Sequence, residues 1–82
     1  MSSALLRVSN LTRNVTEAHL TEVFGAFGTV TDVNLAVDKD VGLSKGYAVV
    51  AFSASSEAEE ALEALDGGSL DGNELRVKRV AD

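Results

Sequence analysis

The sequence predicts an α+β fold: two helices laid on one face of a four-stranded antiparallel sheet, in the order β-α-β-β-α-β. Three observations carry this. Leu20, Val23, Phe24 and Phe27, and again Ala58, Ala61, Leu62 and Leu65, recur at i, i+3, i+4, i+7, the spacing of one apolar helix stripe. Other segments alternate with period two, most clearly Lys45-Gly46-Tyr47-Ala48-Val49-Val50-Ala51-Phe52. Clusters of Gly, Asp, Asn and Ser separate these segments. Two right-handed crossovers then bring both helices to the same side of the sheet.

Residues 5–9 alternate as a first strand, with Leu6 and Val8 inward and Arg7 and Ser9 outward. Residues 10–15 read as a polar connection. Thr16 is placed to cap a helix, and Glu17 suits the positive end of its dipole. Gly28, directly after Phe27, is expected to give that helix a left-handed C-cap. Residues 30–37 make a second strand with Val33 and Leu35 inward, and residues 38–44 a hairpin loop. In the strand 45–52, Ala48, Val50 and Phe52 face the core, whereas Lys45, Tyr47, Val49 and Ala51 face away. Residues 53–56 open a second helix, with Ser56 and Glu59 at capping-box spacing, and Gly67 ends it. Residues 68–73 are turn-rich. Residues 74–80 form the last strand, with Leu75 and Val77 inward and Arg76 and Lys78 outward. All three Phe residues fall on inward positions, so the core accounts for them. The outcome is a ferredoxin-like sandwich whose second sheet face is open.

Composition narrows the function classes. At 82 residues and 45% hydrophobic, the chain holds one small folded domain, read as residues 5–80 between a linker remnant at 1–4 and a tail at 81–82. With no cysteine, disulfides and thiolate metal sites are excluded, and a lone histidine argues against metal ligation. No apolar run approaches the ~20 residues of a membrane span, and no secretory pattern opens the chain. A nuclear or cytosolic setting is the default. The net charge of −6 opposes a polyanionic ligand, but its distribution is uneven. Glu57, Glu59, Glu60 and Glu63 lie on the second helix, without cations at i+4, whereas Arg76, Lys78 and Arg79 lie on the last strand.

The octamer 45–52, the hexamer Leu6-Arg7-Val8-Ser9-Asn10-Leu11 and the loop Asp38-Lys39-Asp40-Val41-Gly42-Leu43-Ser44 together resemble the RNA-recognition-motif family, over nearly the whole chain. The resemblance implies single-stranded RNA, pre-mRNA or mRNA, lying across the open sheet. Tyr47 matches one of the family's base-stacking rings; Val49 and Arg7 stand where two others would be. A stacked base is worth ~1–3 kcal/mol, so two missing rings imply weak binding of low sequence specificity. The RNA-contacting set is then Tyr47, Arg7 and Val49 as platform, Ser9 beside them, Asn34 at a base edge, and Lys45, Arg76, Lys78 and Arg79 at phosphates.

Finer stretches, Leu11-Thr12-Arg13-Asn14-Val15-Thr16, His19 and Asp66-Gly67-Gly68-Ser69-Leu70-Asp71-Gly72, are similar to the serine-rich-domain branch of splicing activators within that family. That similarity implies mRNA splicing at the periphery of the exon junction complex, a nuclear setting with or without shuttling to the cytoplasm, and an Acinus- or Pinin-type protein partner. The isolated domain is expected to be a monomer, with no cofactor.

Blander readings accompany each residue. Tyr47 is also an ordinary strand former, and the terminal cations also suit a solvated surface. His19 reads as structural or partner-facing. Acylphosphatase-like enzymes share this strand and helix order, but their phosphate loop needs glycines that 10–15 lack, and no nucleophile–base pair is suggested, so no enzyme is expected. An Arg-x-Phe turn that grips a tryptophan-bearing peptide in some relatives is missing from 68–72. Two functions stay open: RNA binding on the sheet, and docking of a scaffold peptide on the helical face.

Overall fold

The computed structural model describes residues 4–12, 14–42, 44–70 and 72–80. Arg13, Leu43, Asp71, most of the linker remnant and the 81–82 tail lie outside them. The elements are β1 (Leu5–Ser9), α1 (Glu17–Gly25), β2 (Val30–Val37), β3 (Ser44–Phe52), α2 (Ser55–Leu65), β4 (Ser69–Leu70), β5 (Asn73–Glu74) and β6 (Arg76–Arg79). β2, β3, β1 and β6 form the antiparallel sheet in that order. β4 and β5 form a separate two-stranded hairpin. Ala4 belongs to the fold rather than to a linker, since its carbonyl accepts the Phe52 N–H at 2.9 Å.

Alternation sorts the strand residues as expected. Leu6, Val8, Ala48, Val50, Phe52, Leu75 and Val77 are buried together with Leu20 and Phe24 of α1 and Ala58 and Ala61 of α2. The two small α2 residues let that helix approach the sheet closely, and the Phe24 and Phe52 rings meet edge to face with centroids 6.3 Å apart. Leu11 and Val15 are also buried, which corrects the polar reading of residues 10–15: the loop is a lid on the core edge.

β2 holds an irregularity that simple alternation misses. Its register against β3 shifts between Val30 and Asp32, and the Thr31 hydroxyl donates to the Ala51 carbonyl at 3.3 Å. The extra residue lets Val30 and Val33 both pack on the core although three positions separate them.

The helix ends depart from two expectations. Thr16 caps α1 as expected, its hydroxyl accepting the His19 N–H at 3.2 Å. The C-cap is Ala26 in right-handed conformation, and Gly28 is not left-handed. What Gly28 provides is room: a Cβ there would lie 2.5 Å from the Glu57 Cβ. The Ser56–Glu59 capping box does not form, because α2 starts earlier, at Ser55. The Ser53 hydroxyl donates to one Glu57 oxygen at 2.5 Å, and the other accepts the Thr29 N–H at 3.2 Å. Glu57 thus ties the start of α2 to the strand entering the sheet.

The turn-rich stretch 68–73 contains the β4–β5 hairpin, which the Asp-Gly pair could have signalled. Gly72 takes φ +86° at its tip. A reciprocal pair fastens the hairpin to the end of β1: Asn10 Nδ2 donates to the Glu74 carbonyl at 2.6 Å, and Asn73 Nδ2 to the Asn10 carbonyl at 3.1 Å. The last strand is accordingly shorter than expected, since Glu74 belongs to the hairpin.

Candidate nucleic-acid interface

The sheet face turned away from the helices carries the side chains that strand parity sends outward. Register places them in two rows. One crosses the whole sheet as Asn34, Val49, Arg7 and Lys78; the neighbouring row runs Tyr47, Ser9 and Arg76. β1 is central in both, so Arg7 and Ser9 each touch a neighbour on either side. Lys45, Tyr47, Arg76, Lys78 and Asn34 are exposed, and Val49 is half-buried.

Tyr47 keeps 37% of its surface accessible, enough to present a ring face. The Arg7 guanidinium carbon stands over that ring, 5.2 Å from its centroid, a cation–π contact worth ~0.5–1 kcal/mol at an exposed site. The position that lacks a second ring therefore supplies a planar cation that shares the first. Ser9 donates to the Arg76 carbonyl at 3.4 Å, which fixes its hydroxyl between the two strands.

Arg7, Ser9, Arg76 and Lys78 line one pocket of ≈ 240 Å³, with no carboxylate among its lining residues. Arg79 is not there, which corrects its assignment to the phosphate-contacting set. It pairs with the inward Leu6, so parity turns it to the helical side, where Nη2 reaches the Ser55 carbonyl at 3.5 Å and Nε is buried. Counting cations at the chain end grouped Arg79 with its neighbours; period two separates it from them.

On the other side of the fold, α1 and β2 border a wider groove of ≈ 360 Å³ with Glu17 and Asp32 among its lining. Glu17 also accepts the Leu35 N–H at 3.2 Å, so a carboxylate fills one unpaired position on the β2 edge. Sequence reasoning missed Asp32, although it shares the outward parity of Asn34 in an unbroken stretch of register. Glu57 is held below the ordinary carboxylate range, chiefly by the Ser53 hydroxyl and then by the Thr29 N–H. No group of three or more His, Cys, Asp or Glu that could hold a metal occurs among the described residues, and no helix among them is long and apolar enough to cross a membrane.

Fold and face together define a small α+β domain with two helices on one side of the sheet and an open, partly basic face on the other. The RNA recognition motif family matches residues 6–76, and the chain belongs to it. It is 45% identical over 75 residues to serine/arginine-rich splicing factor SR45 of Arabidopsis thaliana, covering 92% of this chain and 18% of that protein. RNA-binding protein with serine-rich domain 1 of Danio rerio is 38% identical over 76 residues, covering 92% and 27%. The chain thus spans a fifth to a quarter of these splicing-related relatives. "Putative RNA-binding protein RbpA" of the cyanobacterium Synechocystis is 40% identical over 73 residues, covering 89% of this chain and 72% of that one. Among solved structures, the Sex-lethal protein/RNA complex superposes with a TM-score of 0.92 at 27% identity, covering 99% of this chain and 48% of that one.

Proposed function

We propose that this domain binds single-stranded RNA across its open sheet, weakly and with little sequence preference, as part of a pre-mRNA processing factor. The observation that carries the reading is the Tyr47–Arg7 pair: an exposed ring with a planar cation over it, at the centre of a face bearing Arg76 and Lys78. Tyr47 stacks one base. Val49 gives an apolar contact without a ring. Asn34, in the same row, offers an amide to a base edge, and Lys45 adds a cation at the start of β3. Likeness to two splicing-related proteins supports a nuclear setting, and likeness to a cyanobacterial protein shows that such domains also occur where there is no nucleus. The absence of a suggested nucleophile–base pair supports a binding role rather than catalysis.

The test is an amide chemical-shift titration with a mixed short single-stranded RNA at two salt concentrations. Shifts at Arg7, Tyr47 and Val49 that weaken with salt and vanish in Tyr47→Ala are expected. A silent sheet at high RNA concentration would overturn the reading.

A second, compatible function is favoured by the α1–β2 groove, whose Glu17 and Asp32 suit a basic peptide. An Acinus- or Pinin-type scaffold segment on this side would leave the sheet face free. Shifts confined to residues 17–33 on adding such a peptide are the expected result; shifts on the sheet face instead would remove this assignment.

A further inference from the structure

The outer side of β2 is a strand edge that a single side chain guards. The Leu35 N–H points away from β3, because Glu17 Oε2 accepts it at 3.2 Å. Asp32, Val33, Asn34 and Leu35 run in unbroken register against Ala51, Val50, Val49 and Ala48. Backbone direction alternates along such a stretch, so the N–H and C=O of Val33 and the C=O of Leu35 face that same side. Among the described residues no strand lies beyond β2, which ends the sheet order. The groove of ≈ 360 Å³ follows this edge, bounded by Glu17, Ala18 and Thr21 of α1 and by residues 30–33 of β2. Ala18 and Thr21 are small and exposed, which keeps the space beside the strand open. An edge of this kind is a template for a further strand.

Resting on the peptide-docking reading above, we propose that β2 accepts an extended basic segment of a partner protein as a fifth strand, with two cations spaced three residues apart. The spacing follows from parity. A side chain opposite Leu35 stands on the helical side, where Leu35 packs on the core and Glu17 reaches over the edge. One opposite Asp32 stands on the open side, with Asp32 itself. Leu35 and Asp32 are three positions apart, so the partner's cations fall at i and i+3, on opposite faces of its strand. Cations at i and i+2 would share one face and meet only one of the two carboxylates. Glu17 is the exchangeable guard. In the free domain it occupies the Leu35 N–H and hinders edge-to-edge pairing. On docking, a carbonyl of the segment takes that N–H, and the freed carboxylate pairs with the segment's cation. Main-chain bonds to Val33 and Leu35 supply affinity, the two carboxylates choose the partner, and the net charge of −6 steers a basic segment toward the domain.

The deciding experiment titrates the whole chain with two capped eight-residue peptides of Val and Thr that differ only in whether their two lysines stand three or two positions apart. The first is expected to shift the amides of residues 17–21 and 31–33 and to slow hydrogen exchange at the Val33 and Leu35 N–H groups. It should bind about 1.5- to 5-fold more tightly than the second, the range of one exposed ion pair. Glu17→Gln keeps an oxygen for the Leu35 N–H and should erase that preference. Methylating every second backbone nitrogen of the first peptide, in the two possible phases, should abolish binding in one phase and spare it in the other, because a strand pairs through one edge alone. Equal binding of both phases, or of both lysine spacings, with shifts still within residues 17–33, would overturn strand addition and leave peptide docking on this side in place. Shifts on the sheet face, or none, would overturn both. Broadening of residues 31–35 that grows with protein concentration without peptide would assign the edge to a second copy and overturn the peptide as its occupant.

Discussion

The sheet has two edge strands, β2 and β6, and the grooves associated with them differ in nearly every respect that matters to a ligand. Near β6, the pocket of Arg7, Ser9, Arg76 and Lys78 is small and cationic, and it opens on the face that carries Tyr47. Near β2, the groove against α1 is half as large again and anionic, and it lies where Glu17 already occupies a backbone position of the edge strand. Both arise from the same alternation rule acting on different sequence. In β6, polar positions were filled with Arg and Lys, while around β2 they were filled with Asp, Asn and Thr. A chain of net charge −6 can present a locally cationic surface because its charges are segregated rather than averaged. Net charge describes long-range steering; the pocket lining decides what docks.

The sharpest way to break this contrast is Tyr47→Ala, expected to weaken single-stranded RNA binding by about 5- to 150-fold, the equivalent of ~1–3 kcal/mol for one stacked base. Asp32→Asn, on the opposite groove, should leave the same titration within about twofold at moderate salt, where charges a Debye length apart are largely screened. Equal losses from the two variants would mean that the grooves are not functionally distinct.

On the acidic side the expected losses are in stability. Gly28→Ala drives a methyl into the Glu57 side chain and should lower unfolding free energy by ~1–3 kcal/mol in urea. Thr16→Ala removes the cap that starts α1 beside Glu17 and should cost about 1 kcal/mol by the same measurement. RNA affinity of the folded fraction should be unchanged in both.

The smallest effect is in pH. Because the folded protein holds the Glu57 carboxyl below its unfolded value of 4.5, its contribution is fully present above that value and is lost as pH falls through the lower, folded pKa. Urea midpoints should therefore decline more steeply below pH 4.5 in the native protein than in Glu57→Gln. Parallel declines would show that the Ser53 and Thr29 contacts do not couple to folding.

The order of the two helices and four sheet strands was legible from the two periodicities together, and the inward and outward sides of β1, β3 and most of β6 from period two, because those strands alternate without interruption. Departures came where one local rule met a tertiary one. A bulge in β2 turned Val30 onto the core together with Val33, and nothing in alternation announces a bulge. Gly28 was legible as a position needing glycine, but the reason was space under Glu57 rather than a left-handed turn. Ser56 and Glu59 satisfied a capping pattern that the helix does not use: its N-cap is Ala54, without a side-chain cap bond, and Ser53 and Glu57 bond to each other ahead of it. Arg79 was misplaced by treating three terminal cations as a group. The ring count on the sheet was readable, and the convergence of three cations on one pocket was not, since it depends on β6 lying beside β1.

That adjacency has a consequence for how the domain assembles. β1 pairs with β3 and β6, both distant in sequence, whereas β2 and β3 can meet as a local hairpin. Closing the longer loops is the slow part of building such a sheet, and the basic pocket exists only once β6 has docked. On the proposed RNA-binding reading, a phosphate-bearing strand has affinity for the finished sheet and little for anything earlier. In refolding mixed with RNA, unfolding should slow while the rate of folding stays unchanged, making the ligand a reporter of the last strand's arrival.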